Sequence, residues 1–182
     1  MSEPTLQDRF HLIGIGGAGM SVVAELLASR GATVEGSDRE ESAVLEHLRS
    51  VGVRAFVGHE ASHVDPSSVV VVSTAIREDN PELAIAHERG QRVIHRSQAL
   101  ALAASGMRFV GVAGAHGKTT TSGMLAIGLS ACGLDPSVAV GGVLPQLGTG
   151  AHLGGGDVFV AEADESDGSF LNYTPAIEIV TN

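Results

Sequence analysis

The sequence predicts an α/β protein built from parallel sheets in two successive parts. Two observations carry this. Short apolar, often β-branched runs alternate with helical patterns through the first hundred or so residues. Twice, at Gly14–Gly19 and at Gly114–Gly117, such a run passes through a glycine-rich turn straight into a helical pattern.

The first strand, Phe10–Ile15, turns through Gly14-Ile15-Gly16-Gly17-Ala18-Gly19, a G-x-G-x-x-G match. A helix over Met20–Ser29 follows, with Val22, Val23, Leu26 and Leu27 at helical spacing and Gly31 ending it. Thr33–Gly36 is the second strand, and Asp38 lies past its carboxyl end. The pattern repeats: helix Glu41–Ser50, strand Val53–Val57, then Val69–Ser73, a valine run typical of a strand buried on both faces. Asn80-Pro81 opens a helix over Glu82–Arg89, followed by strand Arg92–His95 and helix Ser97–Ala104. Five strands alternating with helices predict a doubly wound, Rossmann-like parallel sheet with right-handed crossovers.

Ser105-Gly106 is the expected boundary, giving a Rossmann-like domain over residues 1–105 and part of a P-loop α/β domain over residues 106–182. In the second part, strand Arg108–Ala113 runs into Gly114-Ala115-His116-Gly117, then Lys118 and three threonines, then a helical pattern over Met124–Ala131. Ser137–Val140 reads as a strand, 141–156 as a glycine-rich loop that is mobile or ordered by ligand, and Val158–Ala161 and Ile177–Thr181 as strands.

Composition narrows the function classes. Hydrophobic residues make up 43% of the 182 and charged ones 18%, a globular balance. The net charge of −10 offers no basic footprint, and an aromatic content of 3% offers no stacking platform, so no nucleic-acid partner is expected. No apolar stretch is long enough to span a membrane and no signal peptide is visible, so no membrane partner and a cytoplasmic location are expected. Cys132 is the one cysteine, which excludes a cysteine-built zinc site; at the end of an apolar helix it reads as a small buried hydrophobe. The eight histidines show no zinc-binding spacing.

Three stretches carry chemistry. Gly14–Gly19 opens a helix whose free N–H groups and dipole suit a pyrophosphate, while Asp38 stands where it takes a ribose hydroxyl or caps the next helix. Gly114-x-x-Gly117-Lys118-Thr119 is a shortened phosphate loop, Val112 standing where the general pattern has glycine. There Lys118 suits β- and γ-phosphate oxygens, Thr119 a Mg²⁺ ion and Thr120 a further phosphate oxygen, whereas His116 either meets phosphate or turns to solvent. Finally, strand Val158–Ala161 delivers Glu162, Asp164, Glu165 and Asp167, carboxylates that a hard cation would relieve of mutual repulsion. Glu162, nearest the strand end, is the expected metal ligand, with Thr119.

Together, the stretches HLIGIGGAGMS (11–21), GSD (36–38), STAI (73–76), His95-Arg96, GAHGKTTT (114–121) and EADESDGSF (162–170) resemble the Mur ligase family over nearly the whole chain. Within it they are most similar to members that join L-alanine to UDP-N-acetylmuramate. The resemblance implies an ATP- and Mg²⁺-dependent amide ligase of peptidoglycan precursor synthesis, working through an acyl phosphate. It implies that UDP-N-acetylmuramate is held by Gly14, Gly16, Gly17, Ala18, Gly19, Met20, Ser37, Asp38, Ser73, Thr74, Ala75 and Arg96. ATP would be held by Gly114, Ala115, His116, Gly117, Lys118, Thr119 and Thr120, with Lys118 and Glu162 catalytic and Thr119 and Glu162 on the metal. Ala115 departs from the family, which usually has Thr there. The family also continues into a third domain that contributes to ATP and amino-acid binding, so we expect this chain to be part of a longer protein and inactive alone. Two alternatives stand beside this: a recycling ligase that joins a peptide to UDP-N-acetylmuramate, and a module holding NAD(P) at Gly14–Gly19.

Overall fold

A computed structural model describes residues 3–163 and 172–182. The chain divides into two compact units, Met1–Ala103 and Ala104–Asn182.

The first unit holds a five-stranded parallel sheet in the order β3-β2-β1-β4-β5. Its strands are β1 (Arg9–Ile13), β2 (Thr33–Asp38), β3 (Arg54–Val57), β4 (Val69–Val72) and β5 (Val93–His95). Helices α1 (Ala18–Ser29), α2 (Ala43–Ser50), α3 (Pro81–Glu88) and α4 (Arg96–Ala103) alternate with them, and a 3-10 turn spans Ala61–His63. The strand order reverses at β1, because the chain steps outward through β2 and β3 and then returns to pair β4 with β1. That reversal opens a crevice at the carboxyl ends of β1 and β4. Phe10, Leu12 and Ile13 of β1 and Val70 of β4 are fully buried, as central strands covered on both faces require, and Leu26 and Leu27 of α1 and Leu45 and Leu48 of α2 are fully or almost fully buried too. Helix starts follow local chemistry: Ser42 Oγ accepts from Leu45 N at 3.3 Å, and Asn80 Oδ1 from Glu82 N at 2.9 Å with Pro81 at the first helical position.

The second unit's sheet has the order β10-β6-β9-β7-β8. Its elements are β6 (Arg108–Ala113), α5 (Lys118–Ala131), β7 (Ser137–Leu144), β8 (Thr149–His152), β9 (Val158–Glu162) and β10 (Ile177–Val180). All pairs are parallel except β7 with β8.

Three expectations need correction. The expected loop over 141–156 contains the end of β7 and the whole of β8, which form an antiparallel hairpin. Glycine there permits close strand approach as well as bending: a Cβ on Gly150 would lie 2.7 Å from the carbonyl oxygens of Val140 and Gly142. Helix α5 starts at Lys118 and so absorbs the threonines that the apolar pattern left outside it, because Gly117, at φ 84°, ends the turn immediately before them. Cys132 is exposed, since it caps the C-terminus of α5 beyond the helix's packed face.

Candidate functional site

In the first unit the functional groups gather at the carboxyl edge of the sheet. The backbone leaves β1 at Gly14, whose φ of 76° turns the chain, and the amides of Gly14 and Ile15 donate to Ser37 O at 2.8 and 2.9 Å. Gly17 is the N-cap of α1 and provides no side-chain cap, so the first turn of the helix presents its amides outward. Those amides and the dipole they sum to make an anion site.

The loop opens on a cavity of about 710 Å³. Gly14, Gly17, Ala18, Gly19, Met20, Asp38, Ser73, Thr74, Ala75 and Arg96 line it, as do Arg39, His59, Ile76 and Arg77. Arg96 opens α4 beside α1, close enough that a Cβ on Gly19 would lie 2.5 Å from its Nη1. The cavity therefore combines a helix N-terminus with the side chains of Arg39, Arg77 and Arg96, a surface suited to a diphosphate.

Two expected residues take other positions. Gly16 lies behind the cavity, its N–H donating to Asp38 Oδ2 at 2.8 Å. Asp38 Oδ1 accepts from Arg39 N at 2.7 Å, so this carboxylate closes the glycine loop; Ser42, not Asp38, caps α2. Ser37 is fully buried and faces the interior, because alternation along β2 sends it to the side opposite its neighbours. Its hydroxyl donates to Glu82 Oε2 at 2.5 Å and lies 2.7 Å from His59 Nδ1.

Ser37 belongs to a buried polar cluster that spacing between histidines does not reveal. His11 on β1 is paired in register with Glu35 on β2, so both project from the same face of the sheet. His11 Nε2 lies 3.3 Å from Glu82 Oε2 and its Nδ1 3.7 Å from Glu35 Oε1. Glu82, on α3, also receives the amide of Glu60 and lies 3.3 Å from His63 Nδ1 and 3.5 Å from His59 Nδ1. Burial pulls the His11 pKa down, but the carboxylates of Glu35 and Glu82 outweigh it and hold it above its ordinary value. For Glu82 and Glu35 burial pushes upward, and His11, with Ser37 and Arg9 respectively, overcomes this and holds both below the usual range. The signal available in the sequence was the polar residues His11, Glu35 and Ser37 inside otherwise apolar strands, which must find partners when buried.

In the second unit Gly114, at φ 128°, and Gly117, at φ 84°, curl the backbone after β6. Lys118 Nζ donates to Gly114 O at 2.6 Å, laying the ammonium across its own turn. The turn is tied down by residues just past β10: Thr181 Oγ1 donates to His116 O at 2.6 Å, and Asn182 Oδ1 accepts from His116 N at 3.3 Å. His116 and Ala115 are exposed, and Thr119 and Thr120 occupy the first turn of α5. Glu162 ends β9, its Oε1 accepting from Gly141 N at 3.2 Å. A Cβ on Gly141 would lie 3.4 Å from Glu162 Oε2 and one on Gly142 3.3 Å from Thr119 Cγ2, so both side chains abut the same segment of β7. Hydroxyl and carboxylate oxygens are the donors a Mg²⁺ ion takes, and a loop of exposed amides with a lysine suits the phosphates that would complete its shell, so these residues fit both groups. Asp164, Glu165 and Asp167 lie outside the described residues.

The model of the Mur ligase family, catalytic domain, matches residues 9–108, more than half of the chain. The chain belongs to the Mur ligase family. A UDP-N-acetylmuramate–L-alanine ligase from Streptomyces avermitilis is 57% identical over 180 residues, covering 98% of this chain and 39% of that relative. Among solved structures, a UDP-N-acetylmuramate-alanine ligase from Thermotoga maritima is 33% identical with a TM-score of 0.85, over 97% of this chain and 41% of that one. A UDP-N-acetylmuramate:L-alanyl-gamma-D-glutamyl-meso-diaminopimelate ligase from Neisseria meningitides is 28% identical with a TM-score of 0.87, over 96% and 60%. The chain thus spans about two fifths of the curated Mur ligase relative it matches. Among the described residues no helix is long and apolar enough to cross a membrane.

Proposed function

We propose that this chain carries the sugar-nucleotide site and the phosphate loop of an ATP-dependent ligase that joins L-alanine to UDP-N-acetylmuramate in peptidoglycan precursor synthesis. The observation that carries this is the pairing of a helix-N-terminal, arginine-flanked cavity at Gly14–Gly19 with a Gly-Lys-Thr loop that has a carboxylate nearby. The first takes a diphosphate and the second a nucleoside triphosphate. In the reaction the muramoyl carboxylate accepts the γ-phosphoryl group of ATP, giving an acyl phosphate and ADP. The amine of L-alanine then attacks the acyl carbon, phosphate leaves, and the amine's surplus proton is lost.

The protein needs no nucleophile for this; it needs position and charge. In this reading the first turn of α1 and Arg96 hold the UDP diphosphate, with Ser73, Thr74 and Ala75 along the sugar nucleotide. Lys118 neutralises charge on the transferring phosphoryl oxygens, the first turn of α5 cradles the phosphates, and Thr119 and Glu162 hold Mg²⁺, which screens the phosphate charge.

Titration of the chain with UDP-N-acetylmuramate and with NADH tests the first site: the sugar nucleotide should bind and NADH should not. ADP release from ATP with UDP-N-acetylmuramate, by the full-length protein supplied with L-alanine or with tripeptide, tests the reaction. A preference for tripeptide would favour the recycling ligase, which the fold similarity to the Neisseria protein keeps in view.

A further inference from the structure

His59 follows β3 on the outer side of β2 and lines the cavity of the first unit. Its surroundings fix which ring nitrogen carries the proton. Glu82 is fully buried and its pKa is lowered, so it is an anion that must receive hydrogen bonds. Ser37, also fully buried, has one hydroxyl proton and donates it to Glu82 Oε2. Ser37 Oγ can then only accept from His59 Nδ1, 2.7 Å away, so Nδ1 is the protonated nitrogen. Nδ1 also faces Glu82 Oε2 at 3.5 Å, an arrangement that a bare lone pair would oppose. In the neutral ring Nε2 is therefore an acceptor. It is the ring nitrogen that neither Ser37 nor Glu82 engages, on a residue that lines the cavity.

The neighbouring acid is differently employed. Both Asp38 oxygens accept backbone N–H groups, from Gly16 and Arg39, so the carboxylate at the β2 end is oriented by holding the loop. A ligand whose diphosphate sits on α1 extends along the sheet edge, one way toward β4 and β5 and the other toward β2 and β3. On the β2–β3 side, His59 Nε2 is a side-chain acceptor that the bonds to Ser37 and Glu82 leave for a ligand.

We propose that His59 is a substrate-binding residue of this cavity, its Nε2 accepting a hydrogen bond from a donor on the nucleoside half of the sugar nucleotide, with its tautomer set by the Ser37–Glu82 pair. The donor is a ribose O–H or the N3–H of the uracil ring. The proposal rests on the reading of the cavity as a UDP-sugar site. It assigns Ser37 and Glu82 as positioning residues: they touch no ligand but decide what His59 presents.

Calorimetry with UDP separates the possibilities. An asparagine side chain can keep the bond to Ser37 but has nothing at the Nε2 position, whereas glutamine reaches that position and its amide oxygen can accept. His59→Asn should weaken UDP binding about five- to tenfold, the scale of one neutral hydrogen bond, while His59→Gln stays within about threefold of wild type. If His59 only braces the fold, the order reverses, and that result, or equal affinity in all three proteins, overturns the proposal. Ligand arms then name the donor. 2′-Deoxy-UDP, 3′-deoxy-UDP and N3-methyl-UDP each remove one candidate, and the one that matters should lose affinity with wild type but no further affinity with His59→Asn. If none shows that coupling, the proposal fails. Absence of UDP binding to the wild-type chain would instead overturn the sugar-nucleotide reading beneath it, and both would fall.

Discussion

Gly16 and Asp38, 22 residues apart in sequence, are joined by a bond from the Gly16 amide to Asp38 Oδ2 at 2.8 Å. The second strand's acid thus shapes the first strand's loop. A Cβ on Gly16 would fall 2.9 Å from the same oxygen, so glycine is what allows the loop to lie against that carboxylate. Asp38→Ala removes an ionised acceptor from a part-buried N–H. It should cost about 2 kcal/mol in urea unfolding, and UDP-N-acetylmuramate affinity should fall with it as the loop loosens.

Gly19 and Arg96 give a more selective probe. The atoms nearest a Cβ on Gly19 belong to the flexible side chain of Arg96. Gly19→Ala should therefore leave the unfolding midpoint close to wild type while pushing Arg96 out of place. Calorimetry should show UDP-N-acetylmuramate binding reduced about tenfold, roughly 1.4 kcal/mol.

Glu82 anchors the buried cluster. Glu82→Ala leaves His11 without its nearer carboxylate and strands the Ser37 hydroxyl and the Glu60 amide. A loss of about 3–5 kcal/mol is expected in chemical denaturation, the range for breaking one side of a buried charged pair. Glu82→Gln keeps the volume and most of the bonding and should cost less.

The same cluster makes stability depend on pH. The folded pKa of His11 is raised above 6.5, so its contribution is complete below that value and is lost as pH rises through the folded pKa. The folded pKa values of Glu35 and Glu82 are lowered below 4.5, so theirs is complete above that value and is lost as pH falls through them. Thermal melts should show the first unit most stable between pH 4.5 and 6.5. Glu82→Gln should flatten the alkaline side, because it removes one of the two charges that raise His11.

For the phosphate loop, Lys118→Ala should abolish detectable ATP-dependent ADP release by the full-length ligase while leaving UDP-N-acetylmuramate binding to the first unit unchanged. A fall in both would contradict the assignment of separate phosphate sites.

The sequence by itself determined the alternation of strands and helices, the two glycine turns and the bounds of β6, which match expectation residue for residue. These are local matters: periodicity, β-branching and glycine's access to positive φ act over a few residues. Even the hairpin of β7 and β8 failed that test, since its glycines read as loop until a partner strand explains why no Cβ can fit at Gly150. Only the tertiary structure decided what the polar residues do. His11, Glu35, Ser37, His59 and Glu82 come from four separate stretches of chain, and no spacing rule joins them. They meet because parallel pairing puts His11 beside Glu35 and because α3 covers that face. Burial then forces each of them to find a partner, and that requirement turns Ser37 inward onto Glu82.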